Sequence, residues 1–201
     1  MLGQNFNDLS SYIDFLDKIG DLKRISSEVD PELEISEISS KTIEENGPAL
    51  LFENVKGSSF PVATNLFGSE ERLRLSLGCN PKELGEEILS FAEKAMPPKL
   101  DNLFKSFPFI KRLTNFRSKE QAFNSPCQQI QDEITLEDLP IIKCWPEDGG
   151  KFITMGLTIT ESPISKKSNM GMYRLQMHDK DRLGMHWHPH KGGATHYHEA
   201  R

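Results

Sequence analysis

The stretch NMGMYRLQMHDKDRLGMHWHPHKGGATHYHEAR, residues 169–201, decides how this chain is interpreted. It combines short extended segments with the turn sequence DKDR at 179–182, a pattern typical of an antiparallel hairpin. All six histidines of the chain lie in it, from His178 to His198. Because imidazole binds metals and titrates near neutral pH, this concentration of histidine points to a functional site.

The composition is that of an ordinary, mildly acidic protein. The chain has 201 residues and a net charge of -6, with no clustered basic residues, so a nucleic-acid interface is not expected. No apolar run reaches the roughly 20 residues of a membrane span, and no secretory signal is present, so we expect a cytoplasmic protein. Cys79, Cys127 and Cys144 are too few and too widely spaced for a disulfide framework, and buried free thiols are expected.

Residues 1–96 alternate helix and strand signals and predict a small α/β domain. We expect one helix in DLSSYIDFLDKIG to end at Gly20, and another to begin with Asp30 as N-cap and Pro31 in its first turn and to end at Gly47. The segments PALLFENVKG and PVATNLFG predict two strands joined by a turn near Gly57.

Two further helices are predicted in the same domain. Ser69 is expected to cap EERLRLSLG, and Asn80 and Pro81 to begin KELGEEILSFAEKAM. The apolar face of the last helix would be buried, and its predicted inward residues are Leu84, Ile88, Leu89 and Ala92.

Residues 97–126 predict a connector, because prolines, basic residues and phenylalanines appear there without a sustained period. From Cys127 onward the segments become short and extended, which predicts an antiparallel sheet or barrel over 127–201. The predicted strands are CQQIQDEI, DLPIIKCW, GKFITMGLTITESP, NMGMYRLQMHD and RLGMHWHPH. The fold class expected for the whole chain is α+β.

The histidines permit a metal-binding interpretation. In HWHPH a strand would place His186 and His188 on one face, and Pro189 would end that strand. The segment THYH adds a second alternating pair, and imidazoles two residues apart can share a metal ion. One hypothesis is therefore a non-enzymatic Zn²⁺- or Ni²⁺-binding or interaction module. No nearby cysteine or carboxylate pair completes such a site in the sequence.

A second constellation joins Asn169, Arg174 and His190, because the predicted hairpin returns the chain towards its start. An amide oxygen with an imidazole suits Mg²⁺ or Mn²⁺, provided that a carboxylate joins them. Arg174 offers a planar cation for a phosphate or carboxylate, and Lys191 with Gly192 could approach a bound anion. An ordinary hairpin with a surface Asn and a solvated Arg explains the same residues, and the sequence leaves both interpretations open.

The segment SPISKKSNMGMYRLQMHDKDRLGMHWHPHKGGATHYHEA resembles the UbiD family of prenylated-FMN-dependent decarboxylases, which includes 3-octaprenyl-4-hydroxybenzoate carboxy-lyases. The resemblance continues through DLPIIKCWPEDGGKFITMGLTIT, LKRISSEVDPELEISEI, GPALLFENVKG and NLFGSEERLRLSLG. It implies an N-terminal α/β domain followed by part of a flavin-reductase-like split β-barrel that holds the cofactor.

The resemblance also implies roles for individual residues. Asn169 would bind Mn²⁺ beside the cofactor phosphate, His190 would join the metal site, and Arg174 would belong to the catalytic network. K⁺ or Na⁺ are further candidate ions. The residues implied to contact prenylated FMN are Met172, Tyr173, Arg174, His186, Trp187, His188, Lys191 and Gly192.

The implied activity is decarboxylation of an aromatic or α,β-unsaturated acid, with polyprenyl-4-hydroxybenzoate as one candidate. The glutamates of the metal site and of the catalytic network would lie beyond residue 201, so we expect this N-terminal portion to be inactive alone. The implied partners are a flavin prenyltransferase that supplies the cofactor, and further copies of the chain or a missing C-terminal segment. Peripheral membrane association would follow if the substrate is polyprenylated.

Overall fold

The computed structural model describes residues 6, 8–95, 125, 128–130 and 133–201. The chain is α+β, as predicted. It divides into two compact units, one of residues 13–66 and 134–201 and the other of residues 1–12 and 67–133. The connector predicted at 97–126 lies outside the described residues apart from residue 125, and so does Cys127. The strand predicted at 127–134 is wrong for its described residues, because 128–130, 133 and 134 are not in a strand. The boundaries predicted near 96 and 127 stay predictions.

The first helix, α1, spans Leu9–Lys18, and a capping hydrogen bond forms at each of its ends. The Asp8 carboxylate accepts a hydrogen bond from the Ser11 N–H at 2.7 Å, and this bond lowers the pKa of Asp8. At the other end Gly20 has a φ of 78°, and its N–H donates to the Asp17 carbonyl. The predicted glycine cap is confirmed, because this left-handed conformation suits glycine.

A three-stranded sheet forms the centre of the unit of residues 13–66 and 134–201. Its strands are β1 (Leu22–Ile25), β2 (Ala49–Phe52) and β3 (Val62–Thr64). The middle strand β2 pairs in parallel with β1 and antiparallel with β3. All four residues of β2 are buried, as a continuous apolar run predicts. The core cluster at this sheet comprises Val29, Ile35, Leu50, Phe52 and Val55.

Helix α2 spans Glu34–Glu44, so the predicted start at Asp30 and Pro31 is wrong. The backbone of residues 31–33 pairs with a distant segment instead: the Lys143 N–H donates to the Pro31 carbonyl, and the Leu33 N–H donates to the Lys143 carbonyl. These bonds form an isolated parallel bridge between Glu32 and Lys143, and Leu33, whose φ is 70°, directly precedes the helix.

The C-terminal end of α2 also differs from the expected one. Asn46, and not Gly47, takes the left-handed conformation, with a φ of 53°. The Gly47 N–H then donates to the Thr42 carbonyl at 2.7 Å. Asparagine tolerates this region better than other non-glycine residues do, so it can end the helix one residue early.

The other unit contains α3 (Glu70–Leu77) and α4 (Pro81–Ala95). Ser69 caps α3 by accepting a hydrogen bond from the Arg72 N–H at 3.1 Å, as predicted. Asn80 similarly accepts from the Lys82 N–H at the start of α4. The burial predicted for α4 is largely wrong, because Ile88 and Leu89 are 49% and 65% exposed and Ala92 is exposed as well. Only Leu84, of the four predicted inward residues, is half-buried.

Five short strands follow in residues 134–201: β4 (Phe152–Ile153), β5 (Leu157–Glu161), β6 (Ser168–Met172), β7 (Leu175–Met177) and β8 (Leu183–Met185). They form an antiparallel sheet of order β4-β7-β8 and a two-stranded antiparallel ribbon, β5–β6. The three sheets of the described residues do not close into a barrel. DLPIIKCW contributes isolated bridges at Ile142 and Lys143 and no strand.

Three of the predicted strands are shorter than expected. FITMGLTITE is divided between β4 and β5, and NMGMYRLQMHD between β6 and β7. The second division occurs at Tyr173, whose N–H donates to the Gly156 carbonyl. The strand predicted in RLGMHWHPH ends at Met185, before its histidines. The predicted DKDR turn is confirmed by the antiparallel pairing of β7 with β8.

The last helix, α5, spans Gly192–Ala200. It includes the segment THYH, which was predicted to alternate as a strand does. THYH is helical, so His196 and His198 do not alternate on a strand face. Two residues advance a helix by about 200°, which turns these side chains to opposite sides. Helix α5 packs against both strands of the β5–β6 ribbon. None of the helices in the described ranges is long and apolar enough to cross a membrane.

Candidate functional site

The start of α5 meets β6 at a corner formed by Asn169, Met172, Lys191 and Gly192, called here the α5 corner. The Lys191 ammonium donates to the Met172 carbonyl, with Nζ 3.0 Å from the oxygen. A Cβ atom added to Gly192 would lie 2.5 Å from the Asn169 Oδ1. Glycine therefore allows the helix backbone to approach the Asn169 amide closely. Of the residues predicted from the sequence, the structure brings Asn169, Met172, Lys191 and Gly192 together at this corner.

The Asn169 side chain has an unsatisfied donor at this corner. Its Nδ2 is buried and has no hydrogen-bond partner among the described residues. A buried amide nitrogen without a partner is unfavourable, so such a group in a native fold calls for an acceptor from a ligand or a water molecule. The neighbouring Lys191 ammonium would favour an anionic acceptor.

Tyr173 attaches α5 to the sheets. It is 3% exposed, and its hydroxyl accepts a hydrogen bond from the Gly193 N–H at 2.9 Å. The Lys191 Nζ lies 5.2 Å from the centre of its ring. Trp187 packs edge-on against Tyr173 and stacks on Tyr197, with ring centres 5.4 Å apart in both pairs. These contacts of Tyr173 and Trp187 therefore hold the beginning of α5 in place.

Arg174 lines a pocket on the β4-β7-β8 sheet. This pocket has a volume of about 300 Å³. The Arg174 side chain is exposed, with its guanidinium carbon 4.9 Å from the centre of the Phe152 ring. The His186 N–H donates to the Arg174 carbonyl at 3.1 Å, which places these two predicted residues side by side. The remaining lining residues are Gln176, His178, Gly184 and Met185.

Glycine shapes the Arg174 pocket as well. A Cβ atom added to Gly184 would lie 2.5 Å from the His178 Nε2, so the imidazole lies directly over the glycine. The adjoining hairpin turn is held by Arg182, whose Nε donates to Asp179 Oδ2 at 2.6 Å. This hydrogen bond lowers the pKa of Asp179 to about 2, so the carboxylate stays ionised at neutral pH.

The histidines do not form the alternating strand pairs on which the zinc or nickel hypothesis was based. His186 and His188 follow the end of β8, and the ring of His190 lies 5.6 Å from that of His188. His190 makes no hydrogen bond to Asn169 in the described part of the chain. Within the described ranges, no group of three or more His, Cys, Asp or Glu side chains is placed to hold a metal ion.

Another pocket of this unit lies away from these residues. It has a volume of about 860 Å³, and its mainly apolar lining comes from α2 and the segment 142–146. None of the residues predicted as site residues lines it.

Some residues that hold α5 on the ribbon were not predicted from the sequence. Thr160, Ser162, His196 and Glu199 make side-chain contacts between the ribbon and α5. No local motif marks them, since each bond joins residues more than 35 positions apart. Gln176 and His178 could have been found from their alternation with Arg174, because residues two apart in a strand share a face.

Comparison with known families bears on both the α5 corner and the Arg174 pocket. Residues 13–92 match the model of the 3-octaprenyl-4-hydroxybenzoate carboxy-lyase N-terminal domain, and residues 118–201 match that of the Rift-related domain of the same enzymes. The chain belongs to the UbiD family. The two matches follow the order that the sequence resemblance predicted and include both the α5 corner and the Arg174 pocket.

Solved UbiD-class structures have the same fold. The enzyme HmfF from Pelotomaculum thermopropionicum, in complex with prFMN, is 27% identical with a TM-score of 0.72, over 96% of this chain and 40% of that one. Vanillic acid decarboxylase from Sedimentibacter hydroxybenzoicus is 25% identical with a TM-score of 0.75, over 98% and 40%.

A 3,4-dihydroxybenzoic acid decarboxylase from Enterobacter cloacae, at 22% identity and a TM-score of 0.73, supports the fold alone. This match covers 98% of this chain and 40% of the Enterobacter enzyme. The chain therefore spans about 40% of the length of these UbiD-class structures.

Proposed function

We propose that this chain belongs to a UbiD-type carboxy-lyase, in which the α5 corner binds the cofactor and Arg174 binds the substrate. The reaction would be the non-oxidative decarboxylation of an aromatic or α,β-unsaturated acid, with prenylated FMN and a divalent metal ion. The observation that carries the proposal is the α5 corner: a buried, unpaired Asn169 nitrogen beside the Lys191 ammonium and a helix start kept open by Gly192. The prFMN complex of HmfF, which shares this fold, supports a flavin ligand.

The residues of the α5 corner fit a flavin phosphate. The Asn169 Nδ2 needs an acceptor, and phosphate oxygens are strong acceptors. The Lys191 ammonium is a second donor within the same corner, and the N-terminus of a helix favours negative charge. When bound, prenylated FMN would supply the electron sink that decarboxylation requires.

A divalent ion beside that phosphate would need more ligands than the corner supplies. We assign the Asn169 Oδ1 and the His190 imidazole as candidate ligands for Mn²⁺. An amide oxygen and an imidazole are acceptable ligands, but a hard cation prefers carboxylates as well. We therefore propose that a carboxylate from polypeptide beyond these 201 residues completes the metal site, as the family resemblance implies.

Arg174 would bind the carboxylate of the substrate. Its guanidinium is a planar donor that matches two carboxylate oxygens, and it lines a pocket of about 300 Å³ together with His186. That volume is at the lower end of the range for small-molecule sites and suits a monocyclic acid. A polyprenyl-4-hydroxybenzoate would place its ring here and its chain outside this pocket. Met172, Trp187 and His188 remain candidates for the flavin surface.

The proton for the product must come from another residue. Arginine stays protonated at neutral pH and cannot act as the acid. General acid catalysis contributes roughly 10²–10⁴-fold, so the chain by itself should show no useful turnover. We propose that the acid lies in the remaining polypeptide, present either on a longer chain or in a partner, and that a flavin prenyltransferase supplies the cofactor.

The proposal is tested by turnover with and without that polypeptide. The 201-residue chain is loaded with prenylated FMN and Mn²⁺ and given a panel of aromatic and unsaturated acids. Release of CO₂ and H/D exchange on the products are then measured. We expect activity when the segment corresponding to the rest of a UbiD-class enzyme is present, and none without it. Full turnover by the 201 residues alone would show that the acid has been misplaced.

A further inference from the structure

Two side-chain hydrogen bonds hold the C-terminal half of α5 on the β5–β6 ribbon. The His196 Nδ1 and the Thr160 Oγ1 lie 2.9 Å apart, and the Ser162 hydroxyl donates to the Glu199 Oε2 at 2.5 Å. His196 and Glu199 are three residues apart on one face of the helix. Thr160 lies in β5 and Ser162 directly follows that strand, so the two residues are two positions apart and lie on the same side of the ribbon. Matching the two spacings fixes the position of the helix along the ribbon.

Burial and backbone hydrogen bonds hold the Ser162 side chain in one orientation. It is 1% exposed, and its Oγ accepts hydrogen bonds from the backbone N–H groups of Ile164 at 3.2 Å and Ser165 at 2.8 Å. Its own N–H donates to the Lys167 carbonyl. The hydroxyl proton is thus directed at the Glu199 carboxylate, and a hydrogen bond to an ionised acceptor is stronger than one between neutral groups.

The same helix carries the α5 corner at its other end. Gly192 is one helical turn, about 6 Å, before His196. The contact between Gly192 and the Asn169 side chain is tight, since an added Cβ would lie 2.5 Å from the Asn169 Oδ1. A small displacement of α5 along the ribbon would therefore change the spacing between Asn169 and Lys191. The two bonds at the far end of the helix oppose that displacement.

We infer that the pairs Thr160–His196 and Ser162–Glu199, called here the α5 clamp, position the α5 corner for cofactor binding. They do not contact the cofactor themselves. They act through α5, by holding Lys191 and Gly192 at the distance from Asn169 at which one anion can meet all three. This inference rests on the proposed function, because it assigns the clamp to the affinity of that same site.

The test compares matched variants of the 201-residue chain. Ser162→Ala and His196→Ala break the clamp, while Ser168→Ala and His198→Ala remove exposed side chains of the same ribbon and helix. Glu199→Ala is compared with Glu199→Gln, which keeps an acceptor for Ser162. Two quantities are measured: acrylamide quenching of Trp187 in a Trp145→Phe background, and the Kd for FMN in the presence of Mn²⁺. Thermal unfolding verifies that each variant is folded.

We expect the clamp-breaking variants to increase Trp187 quenching and to raise the Kd for FMN about tenfold, the loss typical of one charge-assisted hydrogen bond. Glu199→Gln should fall between the wild type and Glu199→Ala in both measurements, because it keeps an acceptor for Ser162 but loses the charge. Unchanged quenching, or increased quenching with an unchanged Kd, would overturn the inference. If the wild-type chain binds no FMN, the proposed function is contradicted, and quenching alone decides whether the clamp positions α5.

Discussion

Replacing Arg174 by lysine in the complete enzyme is expected to lower turnover about 100-fold, the loss typical of removing one preorganised donor from an active site. Lysine keeps the positive charge but loses the planar pair of donors that can bind both oxygens of a carboxylate. The Arg174 guanidinium is exposed and lies 4.9 Å from the Phe152 ring, so its replacement should leave the unfolding temperature unchanged.

Arg182→Lys provides a matched control for that variant. Arg182 lies on the same hairpin and is also exposed, but it pairs with Asp179 in the turn and does not line the pocket. We expect Arg182→Lys to keep the wild-type rate. Steady-state kinetics with one aromatic acid give kcat and KM for both variants. An Arg174→Lys enzyme with more than half of the wild-type kcat/KM would remove Arg174 from the proposed site.

Replacing Gly193 by alanine is expected to release the start of α5 from Tyr173. A Cβ atom at this position would lie 2.5 Å from the Tyr173 hydroxyl and 2.8 Å from the Trp187 ring. Both of these groups are held by other contacts, so the helix itself must move. Overpacking of this kind costs about 1–3 kcal/mol, and the hydrogen bond from Gly193 to Tyr173 would be lost as well. Urea unfolding measures the decrease in stability.

Gly85→Ala is the control, because it should change stability in the opposite direction. Gly85 lies within α4, and an added Cβ there would meet nothing within 4 Å. Alanine in a helix is favoured over glycine by roughly 0.5–1 kcal/mol, so this variant should be slightly more stable. If Gly193→Ala were as stable as the wild type, the close packing of α5 on Tyr173 would be wrong.

Features set by neighbouring residues could be predicted from the sequence. Ser69 caps α3 through a bond to a residue three positions away, and Gly20 ends α1 in a left-handed conformation. The buried strand Ala49–Phe52 was likewise visible as an apolar run. In each case the deciding interaction is local, or it follows from burial alone.

Features set by distant residues could not be predicted in this way. The start of α2 is delayed because residues 31–33 pair with Lys143, more than 100 positions further along the chain. THYH alternates as a strand would, yet it is helical. Its His196 bonds to Thr160, and the start of the helix is attached through Gly193 to Tyr173. Tertiary contacts outweighed the local pattern at both places.

The candidate site likewise has parts that could be predicted from the sequence and parts that could not. The proximity of Asn169, Lys191 and Gly192 followed from the motif spacing and the family resemblance, because the chain had to return to its starting point. The α5 clamp had no such signal, since Ser162 and Glu199 become neighbours only when the helix packs on the ribbon. Arg174 is separated from the corner because the chain leaves β6 at Tyr173 and enters another sheet.

The central claim, that Asn169 and its neighbours hold the flavin phosphate with a divalent ion, is tested most directly by titrating the 201-residue chain with FMN. The titration is made with and without Mn²⁺, on the wild type, on Asn169→Ala, and on Asn54→Ala as a control at an exposed asparagine. We predict weak, Mn²⁺-dependent binding that Asn169→Ala weakens at least about tenfold, as for other changes around a metal site, and that Asn54→Ala leaves unchanged. Tight binding that needs no metal ion and is unaffected by Asn169→Ala would contradict the account.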